Sequence, residues 1–132
     1  MAGERILVVD DNLTNLKLAR VVLTKKGYEV RTATDAAEAL AALAVFRPRL
    51  ILMDIQLPGV DGLALTRRLK ADPATRGIPI VALTSYAMKG DEEKALRAGC
   101  DAYITKPIDI LALRDVAASH LGGRPQGDGG SD

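Results

Sequence analysis

Only one cysteine, Cys100, occurs in the 132 residues, which excludes an intrachain disulfide and a cysteine-built metal cluster. Histidine is as scarce: His120 stands alone, late in a helical segment. That leaves too little material for a histidine metal site or a Ser-His-Asp triad, and His120 reads as a packing or solvent-facing residue. Neither sign of charge is in excess. Eighteen Lys and Arg against seventeen Asp and Glu give +1, too little for a chain that holds nucleic acid or anionic membrane by bulk charge. No apolar run approaches membrane-spanning length, and Met1 to Arg5 has no apolar signal core. A soluble, cytoplasmic protein is expected. A Gly-x-x-x-x-Gly-Lys phosphate loop and a Gly-x-Gly-x-x-Gly turn are also missing. Asp10-Asp11-Asn12 lacks the glycine that a calcium loop carries at its sixth position.

What is present alternates. Ile6 to Val9, Leu50 to Met53, Ile78 to Leu83 and the shorter Ala102 to Ile104 are apolar runs. They are too short for buried helices and too apolar for surface strands, so each reads as a strand covered on both faces. Tyr28 to Ala33 alternates more, as suits an edge strand. Between the runs lie helices with legible ends. The first starts at Asn12, turns Leu16, Ala19, Val22 and Leu23 to one side, and stops near Gly27. Asp35 to Glu38 has capping-box spacing, with Leu40, Leu43 and Ala44 as the expected apolar face up to Pro48. A third helix spans roughly 62 to 71 with Leu65 and Leu69 inward, ended by Asp72-Pro73. A fourth covers about 88 to 98 and stops at Gly99. A fifth begins near Asp109 with Leu113, Val116 and Ala117 inward. Cys100, just after Gly99, reads as a small buried filler. Strand then helix, five times, predicts a single doubly wound α/β domain with helices on both faces of a parallel sheet. It occupies residues 4–121, leaves no length for an effector domain, and is followed by a Gly-, Pro- and Asp-rich tail, 122–132, expected to be disordered.

Ligands of such sheets bind beyond the carboxyl ends of the strands. The residues following the central runs are Asp10 and Asp11, Asp54, Thr84, and Thr105-Lys106-Pro107. Taken singly, each has an ordinary explanation as a cap, a turn former or a solvated charge. Caps do not, however, ask for Lys-Pro after one strand and aspartate after two others. Gathered carboxylates repel, so protons or a cation must join them. Mg²⁺ suits a hard-oxygen pocket that also receives phosphate. A carboxylate attacking phosphorus forms an acyl phosphate, while a lysine and a hydroxyl can bind the transferred oxygens.

These pieces resemble a response-regulator receiver domain of the CheY-like superfamily: Ile-Leu-Val-Val-Asp10-Asp11-Asn12, Leu-Met-Asp54-Ile-Gln-Leu-Pro58-Gly59, Ala-Leu-Thr84-Ser and Tyr103-Ile-Thr-Lys106-Pro107. The stretch Ala87 to Glu92 is most similar to single-domain regulators of the DivK type. The resemblance implies a flavodoxin-like, five-stranded sheet of order 2-1-3-4-5. It implies Asp54 as phosphoacceptor, and Mg²⁺ (or Mn²⁺) held by Asp11 and Asp54, by Asp10 through water and by the Gln56 backbone carbonyl. Lys106 matches the phosphoryl-binding lysine and Thr84 the switch hydroxyl. Tyr103 matches the aromatic that follows that hydroxyl inward, and Pro107 a position where the peptide bond is usually cis. Ser85 departs from the alanine of many relatives, and Gln56 and Tyr86 occupy positions that influence phosphoryl lifetime.

The implied function is a Mg²⁺-dependent phosphorylation switch. A histidine kinase or histidine-phosphotransfer protein supplies the phosphoryl group, and a downstream protein reads the face of helix 4, strand 5 and helix 5. Direct contact with nucleic acid or membrane is not expected. Such a chain promotes its own phosphorylation and dephosphorylation but turns over no external substrate. A receiver excised from a hybrid kinase or larger regulator is the alternative. An aspartyl-phosphate phosphohydrolase is disfavoured, because its second acid, two residues after the nucleophile, would be Gln56.

Overall fold

The computed structural model describes residues 3–57, 61–85 and 90–121. The chain runs β1 (Arg5–Val9), α1 (Leu13–Lys25), β2 (Glu29–Ala33), α2 (Ala36–Phe46), β3 (Leu50–Asp54), α3 (Gly62–Ala71), β4 (Ile80–Ser85), α4 (Asp91–Ala98), β5 (Ala102–Lys106) and α5 (Ile110–Leu121). The five strands are parallel, in the order β2-β1-β3-β4-β5.

Successive residues of a strand point to opposite faces, and the three central strands are apolar on both. Leu7, Val9, Ile51 and Met53 face α2, α3 and α4, meeting Ala39, Leu65, Leu69 and Ala95. Ile6, Val8, Leu50, Leu52, Val81 and Leu83 face α1 and α5, meeting Leu16, Leu23, Leu113 and Ala117. Burying both faces this way is what lets a short apolar run be a strand rather than part of a helix.

The helix starts follow capping chemistry. Asn12 accepts from the Asn15 amide at 3.1 Å, and Asp61 accepts from the Leu63 amide at 2.9 Å. Asp35 accepts from the Glu38 amide at 2.8 Å. The expected capping box is shifted by one residue on its return side, since the Glu38 carboxylate binds the Thr34 amide and hydroxyl at 2.6 and 2.7 Å. Those bonds hold the Glu38 carboxyl below the usual range for glutamate.

Four sequence expectations need correction or restriction. The buried side of α2 is Ala36, Ala39, Ala42 and Phe46, while Leu40 and Leu43 lie on its flank and Ala44 is exposed. Alanines allow close approach of helix to sheet, whereas leucines on that line would hold it off. In α5, Val116 is half-buried, not fully inward. β5 continues through Thr105 to Lys106 rather than ending at Ile104. For the fourth helix, positions 88 and 89 lie outside the described residues, as do Tyr86, Pro58, Gly59 and the expected tail at 122–132. His120 is half-buried, its Nδ1 3.0 Å from the Val116 carbonyl. Cys100 is buried with Sγ 4.0 Å from the Thr66 hydroxyl, and burial raises its thiol pKa.

Candidate functional site

Register delivers the acidic residues to one rim. Val9 pairs with Met53, so the chain leaving β1 at Asp10 passes beside Asp54, the last residue of β3. Asp54 pairs in turn with Leu83, which sets Thr84 one step further along the rim. Thr84 pairs with Thr105, and Ser85 with Lys106. The sheet therefore brings together the side chains that the sequence scatters over almost one hundred positions.

Each of Asp10, Asp11 and Asp54 offers a carboxylate oxygen, and these atoms lie within 4.8 Å of one another. Asp10 and Asp54 are 0% and 2% exposed, while Asp11 lies open to solvent. Lys106 bridges the two buried acids, its Nζ 3.0 Å from Asp54 Oδ2 and 3.3 Å from Asp10 Oδ2. The other Asp54 oxygen, Oδ1, accepts from the Gln56 backbone amide at 2.9 Å. Gln56 is otherwise exposed.

Burial dominates the electrostatics of Asp54. It raises the carboxyl pKa from 3.8 to about 6, because the hydrogen bonds from Gln56 and Lys106 offset it only in part and the charge of Asp10 adds to the rise. Lys106 keeps more solvent contact. For it, burial lowers the ammonium pKa but is outweighed by the Asp54 hydrogen bond and the Asp10 charge, so the net shift is upward. Desolvation thus prevails on the acid and pairing prevails on the amine.

The Thr84 hydroxyl is fully buried and has no hydrogen-bond partner among the described residues. A buried hydroxyl without a partner is costly. Tyr103, on β5, is 43% exposed. The Lys106–Pro107 peptide bond is cis, as the resemblance implied.

Sequence reasoning passed over Asn15 and read Gly62 only as the start of a helix. Asn15, in the first turn of α1, donates from its side chain to Asp10 Oδ2 at 3.1 Å. Gly62, at the start of α3, is seated against the backbone of Asp54 and Ile55. A polar residue turning inward from a helix's first turn could have signalled Asn15. Nothing local signals Gly62.

A parallel α/β sheet with an acidic cluster, a bridging lysine and a buried hydroxyl at its carboxyl rim is the arrangement of a receiver domain. This chain belongs to the response regulator receiver domain family, whose pattern matches residues 6–118, and thus to two-component signalling. It is 46% identical over 117 residues to the polar-differentiation response regulator DivK of Brucella anthropi, covering 89% of this chain and 95% of that one. Among solved structures, a putative response regulator from Chloroflexus aurantiacus superposes with a TM-score of 0.86 at 31% identity, covering 92% of this chain and 99% of that one. The receiver domain of a sensor histidine kinase from Pseudomonas aeruginosa, described with a magnesium ion coordinated in its active site cleft, superposes at 0.82 and 36% identity, covering 92% and 100%. No helix among the described residues is long and apolar enough to cross a membrane.

Proposed function

We infer that the chain is a cytoplasmic phosphorylation switch, with residues 4–121 as the receiver unit and Asp54 as the phosphoacceptor. One observation carries this reading: a lysine clamps two buried carboxylates beside a third acid and a buried hydroxyl without a partner among the described residues.

The donor set fits Mg²⁺ or Mn²⁺. It is all oxygen, and three carboxylates converge with a single ammonium among them. Asp10, Asp11, Asp54 and the Gln56 carbonyl would hold the ion. When bound, it supplies positive charge to the transferring phosphoryl oxygens.

The chain's own residues account for the remainder. The donor is phosphohistidine of a histidine kinase or phosphotransfer protein, or a small acyl phosphate. An ionised Asp54 oxygen attacks phosphorus, so an O–P bond forms while the donor's N–P or O–P bond breaks. The leaving imidazole takes its proton from water, and Asp54 gives up none. Lys106 follows the new oxygens as a mobile point charge, and the Thr84 hydroxyl, without a partner among the described residues, donates to one of them. Phosphorylation then shifts the population of the α4–β5–α5 face, where Leu96, Tyr103, Ile110 and Leu111 are exposed. A downstream protein reads that face. Gln56 offers no acid-base group two residues past Asp54, so repeated turnover of external phosphate esters is not expected.

Beryllofluoride with Mg²⁺ tests the reading. Amide shifts should appear at Thr84 and propagate to Tyr103. In Thr84→Ala the shifts at Asp54 should remain, while those at Tyr103 should fall to less than about half, because the mobile donor is gone. A wild-type Tyr103 that does not respond would refute the coupling between pocket and face.

A further inference from the structure

We propose that Asn15 is a positioning residue for the ion pocket, holding Asp10 in the orientation from which it serves the cation; the inference rests on the proposed Mg²⁺ site.

Asp10 is fully buried, and its carboxylate must be satisfied on every side. Its Oδ1 accepts from the Asn12 backbone amide at 2.9 Å. Its Oδ2 takes the Asn15 side-chain amide at 3.1 Å and the Lys106 ammonium at 3.3 Å. Three of about four acceptor positions on a carboxylate are thereby filled, which leaves room for a single further ligand or bridging water.

The three donors differ in permanence. Asn12 donates from the backbone and cannot swing away. Lys106 is shared with Asp54 and is the group expected to follow phosphoryl oxygens. Once it leaves, only Asn15 fixes Oδ2. Its own geometry suits that task. Its backbone amide is tied to the Asn12 side chain in the helix cap at 3.1 Å, so the helix aims the carboxamide at Asp10. Asparagine also adds no charge to an acidic pocket, whereas a lysine there would compete with the cation. Partners that orient a metal-binding group from behind matter to affinity although they never touch the ion.

The test uses the intact chain and Mg²⁺ alone, without phosphodonor, following amide shifts as the salt is titrated. Asn15→Ala and Asn15→Leu should each weaken Mg²⁺ binding by about tenfold. The leucine variant keeps the branched outline of the side chain and removes its polar ends, the donor to Asp10 among them. Unfolding without metal supplies the second readout. The lost donor to the buried Asp10 carboxylate lowers stability, while the better helix propensity of alanine and leucine offsets part of that loss, so both variants should stay folded under the conditions of the titration. Affinity within about twofold of wild type in both variants would overturn the role of Asn15 and leave the pocket intact. Weakening by alanine with normal binding by leucine would also overturn it, by assigning the effect to packing. A wild-type chain that fails to titrate would overturn the Mg²⁺ reading itself, and this inference with it.

Discussion

Asp54→Asn should abolish phosphoryl uptake from acetyl phosphate and, at the same time, raise the stability of the metal-free protein. The first effect follows from the nucleophile. An amide oxygen does not form an acyl phosphate, and no neighbouring acid shares the position of Asp54 between Lys106 and the Gln56 amide. Wild type incubated with Mg²⁺ should gain one acid-stable, alkali-labile phosphoryl group, and the variant none. An undiminished gain in the variant would place the acceptor elsewhere.

The second effect has the opposite sign and comes from burial. The folded-state pKa of Asp54 lies near 6, above its ordinary 3.8. A carboxyl with a raised pKa favours the folded state below the unfolded value, and that contribution is lost as pH rises through the folded one. Near pH 4 wild type and variant should therefore be equally stable. Between pH 4 and 6 the variant should draw ahead, and above pH 6 the gap should level off. That rise is net of the Lys106 and Gln56 bonds, and it corresponds to a gain of about 1–3 kcal/mol. Urea unfolding across that range, with chelator present, measures it. A variant less stable than wild type at pH 7 would show that the lysine pair outweighs desolvation.

Gly62→Ala should be a severely damaging single-methyl change. A Cβ at Gly62 would overlap the Asp54 carbonyl oxygen, lie 2.7 Å from Ile55 Cα and 3.0 Å from the Asp54 carbonyl carbon. All three atoms are backbone, so no rotamer change relieves the clash. Either the end of β3 or the start of α3 must move, and the Gly62 amide bond to the Ile55 carbonyl at 3.1 Å goes with it. The expected loss is about 3 kcal/mol or more, on the order of 10 °C in Tm. Molecules that remain folded should also accept phosphoryl more slowly, because the displaced backbone carries Asp54. Gly77→Ala is the control: its Cβ would meet nothing within 4 Å, and stability should change by less than about 0.5 kcal/mol. Equal unfolding midpoints for the two variants would mean that α3 is not seated as described.

These residues also mark how far the sequence could be read. The strands were legible because both-face burial writes a continuous apolar run, as at Leu50 to Met53, and the rim was legible because the chemistry-bearing residues directly follow those runs. The order of the strands was not written in any run; it came from family resemblance. The face of α2 was misjudged because leucine outweighs alanine in any reading of hydrophobicity, whereas the distance from helix to sheet selects alanine at 36, 39 and 42. Gly62 was legible only as a helix start. Its reason lies in a contact with Asp54, made by the fold rather than by neighbours in the chain. Asn15 was hidden similarly, since its value depends on where Asp10 ends up.

The bridge made by Lys106 bears on the protein's history before any signal arrives. With an ammonium already lodged between its two sequestered acids, the newborn chain carries a built-in counter-ion. It can therefore mature without waiting for a divalent guest, unlike small zinc modules that are unstructured until loaded. If the proposed switch needs that guest, withdrawing it should silence the protein and leave its architecture standing.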